Sequence, residues 1–95
     1  MTFTFHPEAE SEFEAARDFY DDREFGLGAA FLDEVHETID RIADFRNSWP
    51  RTSHRARRCL FNRFPYSVIY RHTDTEITIY AVAHQSRKPD TGRID

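Results

Sequence analysis

The sequence predicts an α+β domain in which an N-terminal helical hairpin covers one face of a small sheet. Two observations support this fold class. In the first half of the chain, apolar residues recur every three or four positions, whereas in the second half they alternate with polar ones. The predicted element order is β-α-α-β-β-β, with the last three strands forming an antiparallel meander. Since the chain has 95 residues, we expect one domain over residues 1–95.

The N-terminal segment is predicted to contain a short strand and the first helix. Residues 2–5 alternate polar and apolar, and Pro7 stands at the first position of a helix, where proline is favoured. One apolar stripe is expected to face the core: Ala9, Phe13, Ala16 and Tyr20. Four acidic residues on the opposite side are expected to face water: Glu8, Glu12, Asp18 and Asp22.

A second helix is predicted after the run Phe25-Gly26-Leu27-Gly28, whose glycines end the first helix and allow a tight reversal. Its apolar stripe consists of Phe31, Val35, Ile39 and Ile42. Trp49-Pro50 ends whatever remains of this helix, because the residue before a proline disfavours helical geometry. Two helices with so short a link form an antiparallel hairpin.

Three strands are predicted at residues 57–61, 66–71 and 76–84, with turns at Phe64-Pro65 and around Asp74. In the last strand, alternation assigns one face to Ile77, Ile79, Ala81 and Ala83. The other face is assigned to Thr78, Tyr80, Val82 and His84.

The net charge of −4 conceals two opposed halves. Residues 1–45 hold thirteen acidic and three basic residues, a net of −10, whereas residues 46–95 hold ten basic and four acidic residues, a net of +6. This asymmetry indicates an anionic partner for the second half. Twelve of the thirteen basic residues are Arg, whose planar fork suits phosphate and carboxylate, although a genomic preference for Arg codons explains that bias equally well.

Several classes of protein are excluded or disfavoured. The single cysteine, Cys59, leaves no intramolecular disulfide, and it is expected to be a small buried hydrophobe. No apolar run approaches the ~18 residues of a membrane span, and the N-terminus lacks the features of a secretory signal, so a cytoplasmic location is expected. The five His are scattered without ligand spacing, so we expect no metal. The sequence contains no Gly-rich phosphate loop, and no cofactor is expected.

The basic half contains the candidate site residues. A partner-binding cationic surface is predicted from Arg55, Arg57, Arg58, Arg63, Arg71, Tyr80, Arg87 and Lys88. The alternative is that several of these arginines pair with the protein's own acidic helices. If the protein were a nuclease, His84 would exchange the proton while Arg58 and Arg87 stabilised the developing charge.

Four stretches of the chain resemble the RelE/ParE superfamily of toxins from type II toxin–antitoxin modules. The first two are Phe5-His6-Pro7-Glu8-Ala9-Glu10-Ser11-Glu12 and Leu27-Gly28-x-x-Phe31. The third is Arg58-x-x-x-x-Arg63-Phe64-Pro65-Tyr66-Ser67-Val68-Ile69-Tyr70. The fourth is Ile79-Tyr80-Ala81-Val82-Ala83-His84-Gln85-Ser86-Arg87-Lys88-Pro89. The third and fourth look more like the ParE side of the superfamily.

The resemblance implies the same fold and a cytoplasmic bacterial toxin in a heterocomplex with its cognate antitoxin. ParE-like members bind DNA gyrase, which makes growth inhibition through gyrase, without hydrolytic chemistry, the leading hypothesis. RelE-like members cleave mRNA on the ribosome without a metal, so a ribosome-dependent endoribonuclease using His84, Arg58 and Arg87 is the alternative. A third hypothesis is a relative that only sequesters antitoxin.

Overall fold

A computed structural model describes residues 2–86 of the chain. The elements follow the predicted order, with helices and strands at β1 (Thr2–Phe5), α1 (Pro7–Arg23), α2 (Leu27–Asp44), β2 (Arg57–Leu60), β3 (Tyr66–His72) and β4 (Glu76–His84). The α+β class and the β-α-α-β-β-β order are confirmed. Arg87 and Lys88 lie outside the described residues.

The sheet is mixed, because its first strand is parallel to its neighbour. Strand order is β1-β4-β3-β2, and β2, β3 and β4 form the predicted antiparallel meander. β1 joins the far edge parallel to β4, with Phe3 opposite Ile77 and Phe5 opposite Ile79. The periodicity of residues 2–5 indicates a strand but does not specify its partner, so the parallel pairing is a new finding.

A β-bulge in β4 overturns the predicted division of that strand between two faces. Ile69 of β3 pairs with Ala81 and Tyr70 pairs with Ile79, which leaves Tyr80 without an opposing residue. The extra residue reverses the alternation beyond it. Val82 therefore joins Ile77 and Ile79 in the core beneath the helices, and Ala81 packs with Ala56 and Ile69 in a second, smaller cluster.

The helical hairpin buries the two stripes that the sequence predicts. Ala9, Ala16, Phe31 and Val35 are buried, and Phe13 and Tyr20 are half-buried against the same core. Gly26 caps the N-terminus of α2 with a positive φ of 89°, a left-handed conformation that glycine adopts without steric cost. Gly28 lies so close to α1 that an added Cβ would stand 3.0 Å from the Cβ of Asp21. These glycines permit the tight reversal and the close approach of the helices.

Glu12 was expected to face water, but it is half-buried and contacts the sheet. Its Oε1 accepts a hydrogen bond from the backbone N–H of Val82 over 3.0 Å. β1 pairs with β4 only from Glu76 to Ile79, so this N–H lies beyond the paired segment. The carboxylate of α1 thus satisfies a backbone donor that β1 does not reach.

Cys59 of β2 is fully buried in the core between the sheet and the helices, as predicted. Burial raises the pKa of its thiol to about 11, because a thiolate would be poorly solvated there. Burial also raises the pKa of Tyr70, whose hydroxyl donates to the backbone carbonyl of Arg46 over 2.8 Å. Neither of the helices within residues 2–86 has the length and apolar character needed to cross a membrane.

Candidate functional site

A polar cleft at one end of the sheet gathers much of the basic half. It has a volume of about 370 Å³ and lies where β2 begins, where β3 ends and where the segment between α2 and β2 folds back. Four arginines line it: Arg51, Arg55, Arg57 and Arg71. His54, His72 and Asn47 complete the lining, so every side chain on it carries a hydrogen-bond donor and none is acidic. We call this feature the arginine cleft.

The fold holds two of these arginines in place through backbone carbonyls. Arg51 Nη1 donates to the carbonyl of His54, and Arg57 Nη1 donates to that of Trp49, each over 2.8 Å. The segment itself is pinned to β2, because the N–H of Arg58 donates to the carbonyl of Pro50 over 2.9 Å. A loop that would otherwise be free therefore presents its guanidinium groups in a defined arrangement.

Tyr80 adjoins the cleft through Arg71. The Arg71 guanidinium lies 5.7 Å from the centre of the Tyr80 ring, within the range of a cation–π contact. The His6 ring stacks on Tyr80 with 5.6 Å between centroids. The bulge at Tyr80 thus places its ring between the N-terminal end of α1 and the arginine cleft.

The remaining predicted site residues lie elsewhere. Arg58 pairs with Ile69, on the sheet face of the smaller cluster, and does not line the cleft. Arg63 stands on the β2–β3 turn, where its Nε donates to Glu34 Oε1 over 2.9 Å. The structure brings together Arg55, Arg57 and Arg71, with Tyr80 beside them, and leaves Arg58 and Arg63 apart. Arg87 and Lys88 fall outside residues 2–86.

A comparison with known protein families identifies the family of this chain. Residues 3–89 match the family described as ParE toxin of type II toxin-antitoxin system, parDE. The chain belongs to the ParE toxin family. This confirms the resemblance and its ParE side.

A solved structure shares the fold of this ParE-family chain. It is described as the chromosomal ParDE TA system from P. aeruginosa, and it superimposes with a TM-score of 0.60 at 20% sequence identity. The match covers 88% of this chain and 95% of that chain. The sequence has no significant match among curated proteins.

The described part of the ParE-family chain does not assemble the residues of the endoribonuclease hypothesis. His84 pairs with Tyr66, whose ring packs 5.2 Å from Phe31 on the helix side, whereas Arg58 lies with Ile69 on the opposite face. Arg58 and His84 lie two strands apart across the sheet and three residues apart along it, so their Cα atoms are separated by about 14 Å. His84 instead contacts Ser86, with 2.8 Å between Nδ1 and Oγ.

A second concavity in this ParE-family fold is apolar and lies on the helical hairpin. It is a groove of about 220 Å³ between β1, α1 and α2. Its floor consists of Phe5, Phe13, Leu32, Val35 and Ile39. Glu10, Glu14 and His36 stand at its rim. We call it the hairpin groove.

The sequence-based prediction missed several residues of the arginine cleft. Arg51, His54, His72 and Asn47 line it, and the crowding of basic residues within residues 51–57 could have indicated only Arg51 and His54. His72 comes from a different strand, and its position at the cleft depends on the β2–β3 register. Across residues 2–86, no group of three His, Cys, Asp or Glu side chains is placed to hold a metal ion.

Proposed function

We propose that this chain is a cytoplasmic toxin that inhibits growth by binding DNA gyrase, and that a cognate antitoxin neutralises it in a heterocomplex. The match of residues 3–89 to the ParE toxin family carries the proposal. The separation of Arg58 from His84 favours a mechanism of binding over one of hydrolysis.

The hairpin groove is where we expect the antitoxin to dock. Leu32 remains 36% exposed there, beside the half-buried rings of Phe5 and Phe13, so apolar surface is available for a partner segment. An amphipathic helix lays its apolar face into such a groove. Glu10 and Glu14 at the rim would pair with basic residues on that helix.

The basic surface is proposed as the second contact region for partners. Arg55, Arg57 and Arg71 act there together with Tyr80, while Arg58 extends the charge along the neighbouring sheet face. Arg63 offers a guanidinium whose side chain is 53% exposed even though Glu34 holds its Nε. Arg87 and Lys88 would add two charges from the C-terminal segment.

Expression without antitoxin tests the target. We expect DNA synthesis to stop before protein synthesis, and the purified chain to block supercoiling by gyrase. A His84→Ala variant is expected to keep full toxicity, because His84 has no role in a binding mechanism. An immediate stop of translation with cut mRNA, abolished by His84→Ala, would instead establish the endoribonuclease. Normal growth would instead support the third hypothesis, that the chain is a relative that only sequesters antitoxin.

A charge placed in the hairpin groove tests the antitoxin contact. Leu32→Arg is expected to abolish co-elution with co-expressed antitoxin while leaving growth inhibition intact. Leu60→Arg is the matched control, because Leu60 is similarly exposed at 46% but belongs to β2, away from the groove. Equal loss of co-elution in both variants, or in neither, would contradict docking in the groove.

A further inference from the structure

We propose that the arginine cleft binds the phosphate backbone of duplex DNA. The juxtaposition that carries this inference is four guanidinium groups and two imidazoles, from the α2–β2 segment and the ends of two strands, around one polar cleft of about 370 Å³. The inference does not depend on gyrase being the target, since it concerns contacts made by this chain alone.

The donors of the cleft suit phosphate. A guanidinium presents five N–H groups in a rigid fork that matches the oxygens of a phosphate. The backbone carbonyls of His54 and Trp49 each accept from a single nitrogen of Arg51 and Arg57 and thereby orient the rest of the fork. Arg71 is held in turn by the Tyr80 ring. Such preorganisation lowers the entropic cost of binding an anion.

Within residues 2–86, three arginines of the cleft form no ion pair with a carboxylate. The ion pairs among residues 2–86 join Arg17 to Asp18, and Arg41 and Arg63 to Glu34, so Arg51, Arg57 and Arg71 form none of them. No acidic side chain lines the cleft. The sequence left open the alternative that these arginines pair with the acidic helices. Within the described residues, these three arginines do not form such pairs.

The side chains that line the cleft suit a nucleic acid better than an acidic peptide. Docked peptides rely on apolar anchors that fill pockets, and the cleft offers no aliphatic or aromatic hydrocarbon side chain for one. The apolar anchoring surface lies in the hairpin groove, which shares no lining residue with the cleft. A phosphodiester backbone needs only donors and positive charge.

The same lining favours a duplex over a single strand. Proteins that bind single strands stack successive bases on aromatic side chains. The Tyr80 ring, which lies beside the cleft, is already stacked against His6 and covered by Arg71. In a duplex the bases remain paired, so the cleft contacts only phosphates. Binding should therefore be independent of DNA sequence and sensitive to salt.

Fluorescence anisotropy with a labelled 20-base-pair duplex of arbitrary sequence tests the proposal on the full chain. We expect a Kd of roughly 10⁻⁴ to 10⁻⁶ M at physiological salt and a slope of log K against log[NaCl] of about −2 to −4, for two to four phosphates. The double variant Arg51→Gln/Arg71→Gln should raise Kd by about tenfold or more and reduce the slope by about 2. The control is the double variant Arg17→Gln/Arg23→Gln, which has the same net charge as the first double variant but loses its two arginines from α1. It should bind the duplex like the parent chain.

A second measurement needs no variant and so does not depend on its folding. Bound duplex should protect Arg51, Arg55, Arg57 and Arg71 from phenylglyoxal, mapped by mass spectrometry, and leave Arg17 and Arg23 reactive. Equal protection at all of these sites, or equal Kd values for the two double variants, would overturn the proposal. Tighter binding of poly-glutamate or of the single strand than of the duplex would overturn it as well.

Discussion

Glu34 of α2 and Arg63 of the β2–β3 turn form an ion pair of 2.9 Å whose carboxylate is fully buried. The other oxygen of Glu34 accepts the backbone N–H of Asn62 over 2.8 Å, and the Arg41 guanidinium stands 3.6 Å away. The carboxylate therefore has a partner on each oxygen, which is the condition for burying a charge without a large penalty. This pair anchors the helical hairpin to the turn of the meander.

Replacing Glu34 with Ala should destabilise the protein more than replacing Arg63. Glu34→Ala leaves the Asn62 N–H and the Arg41 guanidinium without their carboxylate, and we expect a loss of about 3 kcal/mol in the free energy of unfolding. Arg63→Ala leaves Glu34 with Asn62 and Arg41, so its effect should be smaller. Urea denaturation measures both. A larger loss for Arg63→Ala would contradict this account of the cluster.

Gly28→Ala should loosen the contact between the two helices. The added Cβ would stand 3.0 Å from the Asp21 side chain and 3.1 Å from the carbonyl of Arg17. We expect a net loss of about 1–2 kcal/mol, because overpacking outweighs the better helix propensity of Ala. The control is Ala29→Ser, at the exposed neighbouring position, which should change stability by less than about 0.5 kcal/mol. Equal thermal midpoints for the two variants would refute the close approach.

Stability should fall at alkaline pH because of Cys59. Its pKa of about 11 in the folded state lies above the 9.0 of an unperturbed thiol, so the folded state binds the proton more tightly. The resulting stabilisation is complete below pH 9 and is lost between pH 9 and pH 11, on the order of 2 kcal/mol. Urea unfolding across this range measures the slope.

Cys59→Ala is the control for that slope. The variant lacks the titrating thiol, so its stability should fall less steeply between pH 9 and pH 11, although the raised pKa of Tyr70 leaves some dependence at still higher pH. Identical slopes in the parent and in Cys59→Ala would show that the thiol does not carry the effect.

Glu12→Ala should cost stability although a helical projection places Glu12 on the water side. The backbone N–H of Val82 would lose its acceptor, for which we expect about 1–2 kcal/mol. Asp22→Ala, at an exposed residue of the same helix, should change stability by less than about 0.5 kcal/mol. Amide hydrogen exchange at Val82 adds a local readout, since it should accelerate only in Glu12→Ala.

The fold was predictable where a local pattern coincides with a buried face. Phe31, Val35 and Ile39 recur at helical spacing because only one side of α2 meets the core, and all three are buried. The prediction failed in β4, because the register shift at Tyr80 inserts one extra residue and reverses the alternation beyond it. A bulge adds no distinctive residue type, so periodicity alone could not locate it.

The candidate site was predictable only in its charge. Ten basic residues within residues 46–95 indicate a cationic surface, but sequence proximity does not show which of them meet. Arg57 and Arg58 are neighbours, yet they point to opposite faces of β2, and only Arg57 lines the cleft. Conversely, Arg51 and Arg71 are twenty positions apart and share it.

The order of the elements, the buried stripes of the hairpin, the burial of Cys59 and the segregation of charge can all be predicted from the amino-acid sequence, because each depends on spacing within one segment. The parallel pairing of β1, the reversal in β4, the carboxylate contacts of Glu12 and Glu34, and the set of residues that line the arginine cleft emerge only from the folded chain. These features depend on which strand lies beside which and in what register. Backbone pairing between distant segments sets that register, and no local pattern of residues encodes it.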